Sequence, residues 1–438
     1  MDQLKATKID LFSFRTPQMR AFHLAWFAFF LCFFAWFGMA AFGPVVAKEF
    51  KLTPDQKMWT MIAAVSATVF ARLFFGWLCD VIGPRLSYTI LLVVGSIPVM
   101  AIGLAHSFTS LLLFRLGIGV IGASFVITQY HTSRMFAPNV VGTANAMTGG
   151  WGNLGGGVTQ LLMPALLGAL VSLGLSQATG WRVAMLMAGV ICLLTAAAYF
   201  FLTQDTPEGN LIPLRKAGKM EAPKKMSFAV AAADPRTWCL FVLYAACFGI
   251  ELTIDNIAHT YFEDHKYFGM AIGAASWAAF SFGGLNLFAR ALGGYGSDKV
   301  AKFLGLTGRV YWMFAILLLE GLSMIWFSQM HSTPPMLVSF IVFGLFVCMG
   351  CGAVFAVVPF INKNAVGSVS GIVGAGGNVG AVASGFMFGA GDWHGSLLII
   401  GCLVTAASFL AFGVRFAPVA IEEKLAGEEP SVEPALAV

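Results

Sequence analysis

The sequence predicts an all-α polytopic membrane protein in which twelve transmembrane helices form two pseudo-symmetric six-helix halves. Of its 438 residues 58% are hydrophobic and only 11% are charged, with a mean hydropathy of +0.81, whereas soluble domains carry about 25% charged residues. Apolar runs recur along the chain, and each can supply the roughly 20 residues that one membrane crossing requires. The runs lack period-two alternation, so they indicate helices rather than a barrel, because a helix satisfies its own backbone in lipid.

A basic, proline-containing segment divides the runs into two sets of six. It covers 204–235 and includes four prolines and a cluster of lysines and arginines, which is typical of a solvated linker. We therefore expect tails at 1–20 and 419–438 and two halves at 21–203 and 236–418. The predicted spans are 21–47, 58–80, 86–106, 109–133, 140–174, 181–203, 236–262, 270–296, 309–329, 335–361, 366–390 and 396–418.

The distribution of the basic residues predicts the orientation. Most of the 26 lysines and arginines fall in the tails, the linker and the loops that share the side of the two termini. The opposite side carries only Lys48, Lys51, Lys57, Arg182 and Lys266. Because cytoplasmic loops are enriched in lysine and arginine, we expect a multi-pass protein of a bacterial-type inner (plasma) membrane, with both termini cytoplasmic.

Composition and motifs exclude several other classes of function. The net charge of +5 sits in short loops and forms no basic stripe, so no nucleic acid is expected as a partner. Cys348 and Cys351 have C-x-x-C spacing, but they lie in an apolar run without a nearby histidine or second pair, so we expect no metal and no cofactor. The glycines of 150–155 match a dinucleotide fingerprint by spacing alone, and no strand precedes them. No nucleophile–base constellation indicates an enzyme.

Two arginines lie inside apolar runs at matching places in the two halves. Arg72 belongs to the second run and Arg290 to the eighth, and each is followed by glycine four residues later and aspartate eight residues later. A charge at that depth costs at least about 2.5–3.5 kcal/mol, so it indicates a functional site by default. Two such cations in matching halves predict an anionic substrate held between them.

Glycine-rich segments in the fifth and eleventh runs each contain a single asparagine. Gly-Gly-Trp-Gly-Asn-Leu-Gly occupies 149–155 and Gly-Ala-Gly-Gly-Asn-Val-Gly occupies 374–380. Small residues let helices pack closely in a membrane. They also let the amides of Asn153 and Asn378 reach a small planar ligand, to which an amide can donate without adding charge.

These two segments are similar to the paired signature segments of the nitrate/nitrite porter family of major facilitator transporters, and the resemblance covers nearly the whole chain. It implies the major facilitator fold and a nitrate ion clamped by Arg72 and Arg290 from opposite halves. The other residues that the resemblance implies around the anion are Gly149, Asn153, Gly377, Asn378, Tyr244, Phe248, Phe125 and Phe355.

The end of the second run resembles a loop signature of the same transporters, G-x-x-x-D-x-x-G-[RK]-[RK], with Pro84 in place of the first basic residue. In those transporters the signature acts as a cytoplasmic latch between spans and does not contact substrate. The residues to which the resemblance gives this role are Gly76, Asp80, Gly83 and Arg85, with Gly294 and Asp298 as a partial copy in the second half.

Acidic residues in the seventh run bear on energy coupling. Glu251 and Asp255 are one helical turn apart and His259 follows one turn later. The piece Phe-Gly-Ile-Glu-Leu at 248–252 resembles the proton-coupled branch of the family. Glu251 could carry a coupling proton or could neutralise an arginine, and it is the proton-coupling candidate. Glu320, in the ninth run, lies outside the expected site and is interpreted as structural.

The sequence therefore predicts a secondary active transporter of nitrate, and of nitrite as well, that works by alternating access with proton-coupled uptake. Planar guanidinium groups suit a planar, weakly hydrated monovalent anion better than ammonium groups do. The alternatives are a nitrate/nitrite exchanger, a major facilitator carrier for another small anion and, in a different class, a membrane nitrate sensor or channel. The expected partners are nitrate, nitrite, protons and the lipid bilayer, and the expected state is a monomer.

Overall fold

The computed structural model describes residues 4–220, 227–388 and 392–416, and in this part of the chain the regular elements are helices. Twelve long helices, α1 to α12, form the bundle. Their bounds are Pro17–Ala41 (α1), Pro54–Ile82 (α2), Pro84–Ala101 (α3), Phe108–Met135 (α4), Val141–Ser172 (α5), Gln177–Leu202 (α6), Pro235–Glu263 (α7), 272–304 (α8), 306–328 (α9), Thr333–Phe355 (α10), Val366–Phe388 (α11) and Trp393–Ser408 (α12).

The separation of α8 from α9 rests on one glycine. Eleven apolar segments of the described chain are long enough to cross a membrane, and one of them, Trp277–Ser328, has 52 residues. A helix of that length would measure about 78 Å, more than twice the thickness of a hydrocarbon core. Gly305 interrupts it with φ 60° and ψ −150°, which are not helical values. The segment therefore makes two crossings, and the predicted twelve-span architecture is confirmed.

Polar caps followed by proline define where several spans begin. The Thr53 hydroxyl accepts a hydrogen bond from the backbone N–H of Gln56, whose side chain accepts one from the backbone N–H of Thr53. This capping box satisfies two of the backbone donors that a helix start leaves free, and Pro54 lacks such a donor at the first helical position. At the start of α1 the Thr16 hydroxyl accepts a single hydrogen bond from the backbone N–H of Met19, and Pro17 follows it.

Some boundaries differ from the predicted ones. Helix α1 begins at Pro17 rather than at 21, and α8 continues to 304 rather than 296 because the polar residues after Asp298 remain helical. The predicted linker contains two short helices, Leu211–Lys216 and Ser227–Ala233. The predicted tail at 419–438 lies outside the described residues.

The N-terminal segment pairs with the turn that connects α4 to α5. The backbone N–H of Ala6 donates to the carbonyl of Met135, and that of Ala137 donates to the carbonyl of Ala6, both at 3.0 Å. Because the chain crosses the bundle six times in each half, both ends of the described chain and the described part of the linker lie at one end of the bundle. We call this the terminal end.

The two halves make their most extensive contacts at two pairs of crossing helices, α2 with α11 and α5 with α8. At the first crossing a Cβ on Gly76 would lie 2.5 Å from the carbonyl oxygen of Gly367, and at the second a Cβ on Gly294 would overlap the carbonyl of Gly142. Only glycine permits such close approach of two helix backbones. The repeated glycine of the sequence therefore marks the seam between the halves in both copies.

Candidate functional site

Two buried arginines of opposite halves face one aromatic ring in the middle of the bundle. Arg72 of α2 is 0% exposed and Arg290 of α8 is 2% exposed. Their guanidinium carbons lie 5.1 Å and 5.5 Å from the centroid of the Phe248 ring of α7. The structure thus brings together the two charges that the repeated motif predicted.

Arg72 has neutral hydrogen-bond partners. Its Nε donates to the carbonyl of Gly122 at 3.1 Å, and its Nη1 donates to the carbonyl of Gly374 at 2.5 Å. The Nη2 group is buried and has no partner within the described residues. A 3-10 segment of α4, Gly119–Ala123, holds Gly122, and such a segment leaves carbonyls that α-helical bonding would otherwise use. The positive charge of Arg72 is therefore held by dipoles and by no carboxylate that the structure shows.

Arg290, in contrast, is ion-paired. Its Nη2 donates to Oε2 of Glu251 at 2.5 Å, in a pair whose side chains are both 2% exposed. Its Nε is buried without a partner in the described chain. Buried ion pairs persist when further hydrogen bonds satisfy the remaining lone pairs.

Glu251 meets that condition with three further donors, one each from α5, α8 and α10. Its Oε1 accepts from Nδ2 of Asn153 at 3.0 Å and from Nδ2 of Asn286 at 2.8 Å. The thiol of Cys351 donates to Oε2 at 3.2 Å. The amide of Asn153 donates to Glu251, and its place beside the anion stays a prediction.

Aromatic rings pack around the two arginines. Phe125, Tyr244 and Phe248 stack nearly parallel, with interplanar angles of 8° and 9° and centroids 5.1 to 5.9 Å apart. Phe355 stands edge-on to Phe125 and Tyr244 at 4.6 and 4.7 Å. Water-excluding walls strengthen charge-assisted hydrogen bonds at the guanidinium groups.

The two predicted glycines make room for this arrangement. A Cβ on Gly377 would overlap Phe248 and would lie 3.1 Å from Cε1 of Tyr244. A Cβ on Gly149 would lie 3.4 Å from Nη1 of Arg290 and 3.2 Å from Nε2 of Gln129. Both glycines thus border the residues that form the candidate site.

Several buried polar atoms at the site lack hydrogen-bond partners within the described residues. They include the hydroxyl of Tyr244, Oδ1 of Asn153 and both side-chain polar atoms of Asn378. Buried polar groups in proteins are nearly always paired, and exceptions mark a ligand or a functional role. No described contact joins Asn378 to either arginine, so its place beside the anion remains a prediction.

Sequence reasoning missed Asn286, Cys351 and the carbonyls of Gly122 and Gly374. Asn286 lies four residues before Arg290, a spacing that could have indicated a shared face. A carbonyl acceptor carries no sequence signal. Asp255, also considered for coupling, is exposed, and the side chain of His259 is outside what the structure describes.

The predicted latch residues lie at the terminal end, away from the arginines. Asp80 accepts hydrogen bonds from the backbone N–H groups of Gly367 and Ser368, at the start of α11. Asp298 likewise accepts from the N–H groups of Gly142 and Thr143, at the start of α5. Each carboxylate caps a helix of the other half, where the N-terminal N–H groups favour negative charge.

The corner between α2 and α3 is anchored within the first half. Gly83 has φ 92°, a conformation that favours glycine, and Nε of Arg85 donates to the carbonyl of Phe200 at 2.7 Å. Asp205 accepts from the backbone N–H groups of Arg85 and Leu211, both at 2.8 Å. Burial raises the pKa of Asp205, and these hydrogen bonds oppose the rise.

The first short helix of the linker contacts the same corner. Arg215 donates to the carbonyls of Asp80 and Val81. The linker is therefore docked on this corner.

A two-half helical bundle with opposed charges at its midplane defines the class of the protein: a membrane carrier of the alternating-access type. No group of three histidine, cysteine or acidic side chains suited to a metal occurs among the described residues. The model of the Major Facilitator Superfamily matches residues 25–383. The chain belongs to this superfamily and, on the relatives that follow, to its nitrate/nitrite porter family, and it is a transporter rather than an enzyme.

Curated relatives match along nearly the whole chain. High affinity nitrate transporter 2.5 of Arabidopsis thaliana is 39% identical over 393 residues, which cover 89% of this chain and 78% of that protein. High-affinity nitrate transporter 2.3 of Oryza sativa subsp. japonica is 38% identical over 90% and 75% of the two chains. The nitrate/nitrite transporter NrtP of Nostoc punctiforme is 30% identical over 85% and 87%.

Solved structures share the fold at low sequence identity. The proton:xylose symporter XylE superposes with a TM-score of 0.72 at 14% identity, over 91% of this chain and 96% of that one. The human organic anion transporter MFSD10 gives 0.67 at 13% identity, over 91% and 100%. These likenesses show the major facilitator fold.

Proposed function

We propose that the protein is a secondary active transporter that takes up nitrate, and nitrite as well, by alternating access coupled to protons. One observation carries the proposal. Guanidinium groups of opposite halves reach the same buried ring, and each keeps an N–H group without a partner in the described chain, Nη2 of Arg72 and Nε of Arg290. Unpaired buried donors that carry positive charge call for an anion.

The chemistry of the site favours a small planar anion. The fixed fork of a guanidinium group matches two oxygens of such an ion, and the nearly parallel rings of Phe125, Tyr244 and Phe248 form a flat apolar wall beside the two arginines. Larger carboxylates or phosphates require more polar lining than these aromatic walls offer. The names of the relatives, nitrate transporters of plants and a nitrate/nitrite transporter of a Nostoc strain, support the same substrate class.

Alternating access would proceed by rocking of the halves about the α2–α11 and α5–α8 crossings. The caps that Asp80 and Asp298 place on helices of the other half tie the halves together at the terminal end. The excess of basic residues in the loops of that end supports a cytoplasmic location for it. In this proposal the described state is closed toward the cytoplasm, and the two sets of caps must break for release.

We further propose that the protein acts as a monomer in a bacterial-type inner (plasma) membrane with both termini cytoplasmic. Each half supplies one arginine, so one chain holds a complete site. The grounds for the orientation are the loop charges described above.

Nitrate/nitrite exchange is the second candidate mechanism, and a specific observation favours it. Glu251 is fully engaged by Arg290, two asparagines and a thiol, as a fixed counter-ion would be. A fixed counter-ion neutralises one arginine and carries no proton. Exchange then follows because the site must be refilled by an anion before it returns.

The test is uptake of labelled nitrate into liposomes that contain the purified full-length protein. One set receives an inward proton gradient with no internal anion, and the other is preloaded with nitrite. Gradient-driven uptake supports proton symport, and uptake that requires internal anion supports exchange. Uptake of neither kind by folded protein contradicts nitrate transport, and flux without counterflow indicates a channel. Protein-free liposomes and liposomes with the Arg72→Lys variant are the controls.

A further inference from the structure

Glu320 is a buried acid in the middle of α9 that the proposed substrate site does not use. It is 0% exposed, and neither of its carboxyl oxygens has a hydrogen-bond partner within the described residues. The other buried acids of the seam and the site, Asp80, Asp298 and Glu251, all accept hydrogen bonds. An ionised carboxylate without a hydrogen-bond donor is costly in an apolar interior, so the packing around Glu320 favours its protonated form.

The carboxyl group of Glu320 occupies a space made by Gly350 of α10. A Cβ at that glycine would lie 2.7 Å from Oε2 of Glu320 and 3.3 Å from Cβ of Cys247 of α7. Any larger residue at 350 would therefore displace the acid. The backbone of α10 thus provides a fitted place for one carboxylic acid.

The groups that face Glu320 connect it to the arginine site. The titratable ones are Cys247 and Glu251 of α7 and Cys348 of α10, and α12 places the hydroxyl of Thr405 beside Gly321. Cys247 lies one helical turn before Glu251, and the thiol of Cys351 donates to Glu251 at 3.2 Å. The interface between α7 and α10 therefore connects Glu320 to the ion pair of Arg290.

We propose that Glu320 binds the proton that is transported together with the anion, an inference that rests on the function proposed above. Among the described carboxylates, Glu251 is the one bonded to either Arg72 or Arg290, so two guanidinium groups share one bonded carboxylate, and the resulting surplus of positive charge favours an ionised Glu320. A monovalent anion removes that surplus and favours the protonated form. By linkage, a proton on Glu320 favours anion binding by the same factor.

That mutual preference is the requirement for symport. The O–H bond of Glu320 forms with a proton from water on the side where the anion enters. The bond breaks and returns the proton to water when the two halves open toward the other side of the membrane and the anion leaves. Glu251 is paired with Arg290 in the described state, and no oxidant or further reactant is needed.

The first experiment measures proton uptake on nitrate binding by purified full-length protein in weakly buffered detergent with a pH indicator. Wild-type protein should take up protons when nitrate is added, and Glu320→Gln should bind nitrate without doing so. Gln has the shape of the neutral acid, and Glu320→Asp, which keeps an acid there, should retain the proton uptake. The matched control is Ser323→Ala, one turn along the same helix, whose hydroxyl bonds only the backbone carbonyl of residue 320. Proton uptake that persists in Glu320→Gln but vanishes in Glu251→Gln would overturn the proposal.

The second experiment separates this proposal from the proposed function. In liposomes, Glu320→Gln should keep nitrate counterflow near the wild-type rate. Its accumulation of nitrate under a proton gradient should be at least tenfold lower than that of wild type. Equal accumulation by Glu320→Gln and wild type would overturn the role of Glu320 while nitrate transport stands. If wild-type protein exchanges nitrate but does not respond to the gradient, no proton is transported with the anion, and the proposed role of Glu320 is overturned. Wild-type protein without counterflow would contradict the proposed function itself.

Discussion

The two arginines occupy matching positions in the two halves, yet their partners differ. Arg72 of the first half is held by the carbonyls of Gly122 and Gly374. Arg290 of the second half is held by the carboxylate of Glu251. Equal motifs thus produced one guanidinium whose charge is left unneutralised and one whose charge is balanced.

This difference assigns the halves different tasks in the proposed cycle. The full charge of Arg72 supplies the attraction for an anion, because dipoles hold a cation without cancelling it. The pairing of Arg290 changes during the cycle, because an anion competes with Glu251 for the same guanidinium group. Glu320 is a further acid of the second half, which contains this ion pair, and not of the first half, which contains Arg72.

The latch aspartates at the terminal end differ from the arginines in this respect, because they have the same kind of partner in both halves. Asp80 and Asp298 each cap the first turn of a helix in the other half. The single addition is Arg309, which pairs with Asp298 at 2.7 Å. Opening of the terminal end in the proposed cycle breaks both sets of caps together, which requires them to be similar, whereas binding one anion does not require similar ligands in the two halves.

The largest effect is expected from replacing either arginine with lysine. Arg72→Lys and Arg290→Lys keep the charge but lose the planar fork, and we expect uptake of labelled nitrate into liposomes to fall at least about 100-fold, a loss of about 2.7 kcal/mol or more. Lysine at 72 cannot bond two carbonyls and an anion in the same geometry. The control is Arg15→Lys on the exposed N-terminal segment, which should transport normally. Normal uptake by either buried variant, correctly inserted, would disprove the two-arginine clamp.

Glu251→Gln should make the second half resemble the first. Removing one partner of a buried pair costs about 3–5 kcal/mol, so the variant should unfold at a lower temperature than wild type without nitrate. Because Arg290 is then unbalanced, nitrate should raise its unfolding temperature more than it raises that of wild type. Glu49→Gln breaks the partly exposed ion pair with Arg182 and should leave the nitrate effect unchanged. An equal nitrate effect in Glu251→Gln and wild type would show that the ion pair does not compete with the anion.

Gly377→Ala tests the ring that both arginines share. The added methyl group would overlap Phe248, and overpacking of this kind costs about 1–3 kcal/mol, so nitrate uptake should fall roughly tenfold or more. Gly385→Ala lies two turns along the same helix, where a Cβ meets nothing within 4 Å. It should transport as wild type does. If both variants transport equally well, the position of Phe248 is not important for the site.

The fold followed from the sequence because lipid leaves few alternatives. Runs of apolar residues fixed the number of crossings, and a repeated arginine, glycine and aspartate indicated two halves. The end of α8 was placed eight residues too early because hydropathy falls after Asp298 while the backbone stays helical up to Gly305. Hydropathy reports solvation and not hydrogen bonding, so it cannot locate such an end.

The site was predictable only in its charges. An arginine in an apolar run is conspicuous, and the resemblance supplied the aromatic walls. The partners of Arg72 are backbone carbonyls, which every residue possesses, so no sequence pattern could single out Gly122 or Gly374. Glu320 was interpreted as structural because its isolation appears only once α7, α9 and α10 are packed together.

The smallest effect is expected at the hydroxyl of Tyr244, which is buried and has no partner in the described chain. Tyr244→Phe should weaken nitrate affinity by about tenfold, because a hydrogen bond to a charged group contributes about 1.5–3 kcal/mol. It should not lower the unfolding temperature without nitrate, since no bond within the protein is lost. Tyr88→Phe should show the reverse, because the Tyr88 hydroxyl lies 3.0 Å from that of Thr128: lower stability and unchanged affinity. Isothermal titration and thermal unfolding of both variants give the comparison. Unchanged affinity in Tyr244→Phe would mean that the anion is held by the two arginines without the aromatic wall donating to it.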